Sequence, residues 1–131
     1  MLPAAEKLAE ILRARGAKKV VVADLCRDDM AEVIEDAFRL GRMVVCAASY
    51  DGDVFPPMHM FLWKLGMKGY QNRKVGIVEN GSWAPSAGRA MRALLEPLKN
   101  VSIVEPQITI KSSLKKADLP GLEALADSLL I

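Results

Sequence analysis

Apolar residues recur at helical spacing from Pro3 to Arg15, where Ala4, Leu8, Ile11 and Leu12 share one stripe and Gly16 supplies a stop. Lys19 to Leu25 (KVVVADL) is a short apolar run that predicts a buried strand. Asp28 or Asp29 then caps a second helix through Leu40, with Met30, Val33, Ile34, Ala37 and Phe38 turned inward and Gly41 ending it. Met43 to Ala48 (MVVCAA) predicts a second strand, and a polar loop from Ser49 to Phe55 leads into a helix that starts near Pro56-Pro57. Lys74 to Val78 predicts a third strand. The loop from Glu79 to Pro85 opens a helix to about Leu98. Val101 to Val104 predicts a fourth strand, with Ile108 to Ile110 as its continuation after Pro106, and Leu119 to Leu130 a closing helix.

The strand runs are continuously apolar rather than alternating, which means that both faces of the sheet are covered. Helices and strands alternate along the chain, the order of a doubly wound α/β domain with a parallel sheet. In such sheets ligands bind beyond the carboxyl ends of the strands. Those ends carry Ala23 to Asp28, Ser49 to Phe55, Glu79 to Pro85 and Glu105 to Thr109. One feature is unusual: the pattern opens on a helix, and no strand-like run precedes it.

Length and charge narrow the function. The 131 residues favour one domain, and 51% apolar against 26% charged residues argues for a packed core. No apolar run reaches the roughly 18 residues of a membrane span. The N-terminus lacks the basic-then-apolar layout of a signal peptide, so a cytoplasmic location is expected. A net charge of +2 and 5% aromatics leave little from which to build a basic, stacking surface for nucleic acid. His59 is the only histidine and Cys26 and Cys46 the only cysteines, too few for an ordinary multi-ligand metal site. His59 reads as a surface residue without a carboxylate partner, the cysteines as buried or half-buried thiols, and Trp63 as core or partner-facing.

Two of the carboxyl-end loops carry candidate chemistry. The first is Ala47-Ala48-Ser49-Tyr50-Asp51-Gly52-Asp53, and the second is Glu79-Asn80-Gly81-Ser82-Trp83-Ala84-Pro85. Each combines small residues, hydroxyls or amides, and one large aromatic. A flat heteroaromatic ligand needs that mixture: backbone donors and acceptors for its edge, small residues for close approach, aromatics for its faces. Gly52 and Gly81 suit turn tips. The alternative, two ordinary tight turns with Trp83 covering a helix end, stays open on spacing alone.

The segment Arg73 to Ala90 (RKVGIVENGSWAPSAGRA) resembles a strand, loop and helix start in the flavodoxin-like domain of the A-type flavoproteins, or flavodiiron proteins. The loop at Ser49 resembles the same family's S-P-T-Y-N-x-x-x-F-P pattern, and Asn100 to Leu130 resembles the end of that domain. The resemblance implies FMN as cofactor and electron transfer to a metal centre in a partner domain, with no catalytic side chain on this chain. It implies flavin contacts at Ser49, Tyr50, Asp51, Gly52, Asn80, Gly81, Ser82 and Trp83. Ser49 stands where the family has Thr, and Asp51 where it usually has Asn. Ala48 replaces the usual Pro. The family's H-x-E-x-D metal segment is absent.

Under this resemblance Leu2 to Arg15 matches the family's first helix, so the first strand and its phosphate loop are missing. The chain then reads as a partial flavodoxin-like domain over 1–131, with weak or no FMN binding and an open slot between Val20–Ala23 and Val44–Ala47. Three repairs are then open: the two strands pair directly with a shift of the first helix, a segment of a second copy fills the slot to give a homodimer, or the region before Lys19 is disordered in solution; the second is favoured. The competing reading is a cofactor-free packing or dimerisation module. A phosphoacceptor receiver domain shares the topology, but Glu105-Pro106 stands where a receiver has Lys-Pro.

Overall fold

The computed structural model describes residues 1–50, 52–81 and 85–131. Its elements are α1 (Leu2–Ala14), α2 (Met30–Arg39), β1 (Arg42–Tyr50), β2 (Asp53–Val54), α3 (Pro56–Met67), β3 (Arg73–Asn80), α4 (Ala87–Leu95), β4 (Val101–Ile103), β5 (Ile108–Ile110) and α5 (Leu119–Leu130). The sheet is centred on β3, whose Val75, Ile77 and Val78 are fully buried. β1 lies parallel to β3 from the Arg42–Lys74 pair to the Ala48–Asn80 pair. β4 and β5 both run parallel to the other edge of β3, at Arg73–Val75 and at Val78–Asn80 respectively. The domain is therefore α/β, with a parallel sheet flanked by helices.

The pleat sorts side chains to two cores. Val45, Ala47, Val75 and Ile77 face α2, α3 and α4. Val44, Cys46, Val78, Ile108 and Ile110 face α1 and α5. Alternation within uniformly apolar strands thus feeds two apolar layers, which is why these strands show no polar face.

Most predicted elements are found, with five differences. Residues 19–24 run without turn or bend but join no ladder, so the strand predicted at Lys19 to Leu25 is unpaired. The reason lies in its neighbourhood, since no described segment lies alongside it to accept or donate backbone bonds. The supposed loop at Ser49 begins as strand: β1 continues to Tyr50 and turns back as β2, antiparallel, through Ser49–Val54 and Tyr50–Asp53 pairs. The helix predicted to Leu98 ends at Leu95, because Pro97 has no N–H with which to extend it. The predicted fourth strand is two short ones, β4 and β5, broken around Glu105-Pro106. Cys26, expected to be at least half-buried, is exposed on the turn after residue 24, while Cys46 is half-buried.

Candidate functional site

The carboxyl ends of β1 and β3 meet at Ser49. Its Oγ accepts N–H bonds from Ser86 at 2.8 Å and from Ala87 at 3.1 Å, so a β1 hydroxyl caps the start of α4. Ser86, itself buried, donates its hydroxyl to the Asp53 carbonyl at 2.8 Å. These bonds tie the β1–β2 turn to the chain leaving the second loop. Gly81 closes the arrangement: a Cβ there would lie 3.0 Å from both Ser49 Oγ and the Pro85 Cα, so a side chain at this position would push the two loops slightly apart. Its N–H is held by the Ile110 carbonyl at 3.1 Å.

Of the predicted contacts, the structure brings Ser49, Tyr50, Gly52 and Gly81 to one end of the sheet. Tyr50 is 55% exposed, a free aromatic face beside this junction. Gly52 has φ +75° at the turn tip. Asn80 ends β3, but its amide donates to the Ser112 carbonyl, so that side chain is turned towards the segment after β5. Asp51, Ser82 and Trp83 lie outside the described residues.

A carboxylate that sequence reasoning passed over anchors the same region. Glu79 is buried; its Oε1 accepts the Gly88 N–H at 2.8 Å and its Oε2 accepts the Thr109 hydroxyl at 2.7 Å. Gln107, which contacts Glu79 Oε2 through Nε2 at 3.4 Å, accepts in turn from Arg92 at 3.0 and 3.2 Å. A charge with this many donors is satisfied where it sits and favours the N-terminus of α4. The signal was present in the sequence as an acidic residue ending the apolar run KVGIVE. Gly88 is fitted to it, because a Cβ there would fall 2.3 Å from Gln107 Nε2 and 3.0 Å from the Glu79 carboxylate.

The remaining candidates stay peripheral. His59 does have an acidic neighbour, Asp53 Oδ1 at 4.0 Å from Nδ1, but both side chains are about half exposed and the pair contributes little. Trp63 is half exposed on α3.

A flavin nucleotide makes two demands, and the described residues meet one. The Ser49–Gly81 junction, its short backbone approach and the exposed Tyr50 ring suit the edge and face of a flat ring. For a phosphate the chain offers less. The first turn of α1 (Leu2-Pro3-Ala4-Ala5) has no hydroxyl and no side-chain cap. The turn at residues 24–28 is acidic and already closed on itself: Asp24 N donates to Asp28 Oδ2 at 2.7 Å, and Cys26 N to Asp24 Oδ1 at 2.9 Å. Carboxylates at that position repel a phosphate.

No protein-family model and no curated protein matches the chain. Solved structures do. Rubredoxin:oxygen oxidoreductase from Desulfovibrio gigas superposes with a TM-score of 0.86 over 98% of this chain, at 16% identity. A flavo di-iron protein from Thermotoga maritima gives 0.79 over 98%, at 20% identity. A flavodoxin from the domain Archaea gives 0.78 over 95%, at 15% identity. The chain spans 33% of the oxidoreductase, 31% of the di-iron protein and 85% of the flavodoxin. These likenesses establish that the fold is flavodoxin-like.

Proposed function

We propose that this chain is a flavin-binding electron-transfer domain, holding the isoalloxazine ring of FMN between the β1–β2 turn and the loop after β3. The observation that carries the reading is the Ser49 hydroxyl, which joins those two loops through Ser86 and Ala87 and leaves Gly81 bare beside it. The flavin supplies the redox chemistry, and the chain supplies position and electrostatics. Ser49 keeps its hydroxyl proton for a ring acceptor, since its oxygen alone is engaged by α4. Tyr50, and Trp83 by the family resemblance, cover the ring. The finer reading makes the chain part of an A-type flavoprotein that relays electrons to a metal-centre domain; the likeness to two larger redox proteins supports it.

Ring contacts with no phosphate cradle among the described residues give a specific expectation: FMN and riboflavin bind this chain with similar, modest affinity. Titration of either flavin, followed by quenching of its fluorescence, tests it. Absence of saturable quenching by both flavins overturns the proposal and leaves the cofactor-free packing module, which the unpaired 19–24 segment favours.

A further inference from the structure

α3 differs from the other helices in what it turns to solvent. α1 exposes Glu6, Glu10 and Arg13, α2 exposes Glu32, Glu35 and Arg39, and α5 exposes Glu123 and Asp127. α4 exposes Arg89, with Glu96 just past its end. These are the polar outer faces expected of surface helices. α3 buries Met58, Phe61, Leu62 and Leu65 on its inner face. Its outer face carries Met60, Trp63 and Met67, which are 47%, 50% and 70% exposed, and the exposed Pro56 opens the same stripe. Among the described residues the other large exposed apolar side chains, Leu2, Val21, Tyr50 and Ile131, lie apart from one another along the chain. A single exposed apolar residue needs no explanation, whereas a row of them on one helix marks a contact surface.

The spacing of the row describes its partner. Steps of four, three and four residues, from 56 to 60, 63 and 67, form the narrow seam along which one helix packs against another. α3 also lies between α2 and α4, so its outer face is central to that side of the molecule.

Charge identifies the partner helix as a second α3. No acidic residue lies on α3; Lys64 is in its last turn and the exposed Lys68 follows, while the exposed Asp53 stands just ahead of its start. Two copies laid parallel would stack lysine on lysine. Laid antiparallel, they set Lys68 of each copy towards Asp53 of the other. The flanking helices are polarised too. Glu32 and Glu35 lie towards the start of α2, and Arg39, which also pairs with Asp36, lies at its end. Arg89 lies near the start of α4 and Glu96 past its end. Antiparallel contact brings opposite charges together at this rim, whereas a partner of uniform charge would meet like charge at one end of each helix. A surface complementary to itself under a two-fold rotation is what an isologous pair requires. We propose that α3 is a self-association surface, on which a second copy of this chain packs its own α3 antiparallel, Trp63 beside Trp63 and Met60 of each copy against Met67 of the other. A four-residue seam is small beside the roughly 800 Å² per partner of a standard interface, so the association is weak and concentration-dependent.

Sedimentation of the whole chain from low to high micromolar concentration tests this. A monomer–dimer equilibrium is expected, and Trp63→Glu should raise its dissociation constant by about tenfold or more. Met60→Glu alone should do the same. Adding Met67→Lys to Met60→Glu in one chain should restore the dimer, because antiparallel packing then pairs the two new charges across the seam. A monomer at every concentration overturns the proposal. So does a dimer that Trp63→Glu leaves intact, which would place the contact elsewhere, as at the unpaired 19–24 segment. Failure of the double substitution to restore association overturns the antiparallel register. Urea midpoints show whether each variant is folded; if Trp63→Glu unfolds, Met67→Glu at the more exposed end of the seam decides. None of these readouts involves a flavin, so failure here leaves the flavin proposal standing.

Discussion

The Ser49 hydroxyl oxygen sits 2.8 Å from the backbone nitrogen of Ser86, one at the end of β1 and the other at the cap position of α4. This contact fixes the separation of the two loops that we assign to the flavin. An N-terminal helix N–H group left without its acceptor costs on the order of 1–2 kcal/mol. Ser49→Ala is therefore expected to lower unfolding free energy by about that amount and to weaken flavin quenching. Ser49→Thr keeps the oxygen and should preserve both. Urea titration of the three proteins checks it; an unchanged midpoint for Ser49→Ala would count against the cap.

Gly88→Ala probes the buried carboxylate. The added methyl falls 2.3 Å from Gln107 Nε2 and 3.0 Å from the Glu79 carboxylate, so one of them has to move. Overpacking of this kind costs about 1–3 kcal/mol. Glu79→Ala should cost about as much by a different route, leaving the Gly88 N–H and the Thr109 hydroxyl without their acceptor. Because both changes disturb one cluster, the double variant should lose clearly less than the sum. Additive losses in denaturant titration would show that Glu79 and Gly88 act separately.

The fold was legible because β1, β3, β4 and β5 coincide with the apolar segments of the chain, and helix α5 matches its predicted limits of Leu119 and Leu130. What the pattern could not show was pairing. KVVVADL reads as a strand by composition, but strand hydrogen bonds need a neighbour, and the sequence of one segment does not say whether a neighbour is present. The Ser49 loop was read as irregular because Asp and Gly mark turns, yet the hairpin carries Ser49 and Tyr50 into the ladder first. Ser49 was legible as a polar site residue. Its engagement by α4 was not, since Ser86 lies far along the chain and the contact depends on how the helix docks.

Trp83→Ala and Tyr50→Ala test whether aromatics cover the ring. Tyr50 is exposed beside the Ser49–Gly81 junction; the assignment of Trp83 rests on the resemblance of its loop. Loss of one stacked aromatic weakens binding by about 1–3 kcal/mol. Each variant is expected to raise the flavin dissociation constant accordingly, while thermal unfolding of the flavin-free chain changes little for Tyr50→Ala. Unaltered affinity in both variants would place the ring elsewhere.

High pH should destabilise the chain in two separable steps. Burial pushes the Cys46 thiol from 9.0 up to about 12. Burial also raises the Tyr70 hydroxyl from 10.0 to about 12, opposed by the nearby Arg73 charge. Both groups hold their protons more tightly when folded, so above the unfolded values the unfolded chain binds fewer protons. Stability is then fully present below pH 9 and falls as pH rises towards 12. Cys46→Ala removes the earlier step and leaves the Tyr70 step, which begins near 10. Urea midpoints measured across this range should therefore start to fall about one pH unit later in Cys46→Ala than in the unsubstituted chain. The same burial predicts that thiol reagents modify the exposed Cys26 well before Cys46 at pH 8. A decline of equal onset in both proteins, or two thiols of equal reactivity, would show that Cys46 ionises as freely in the folded chain as in water.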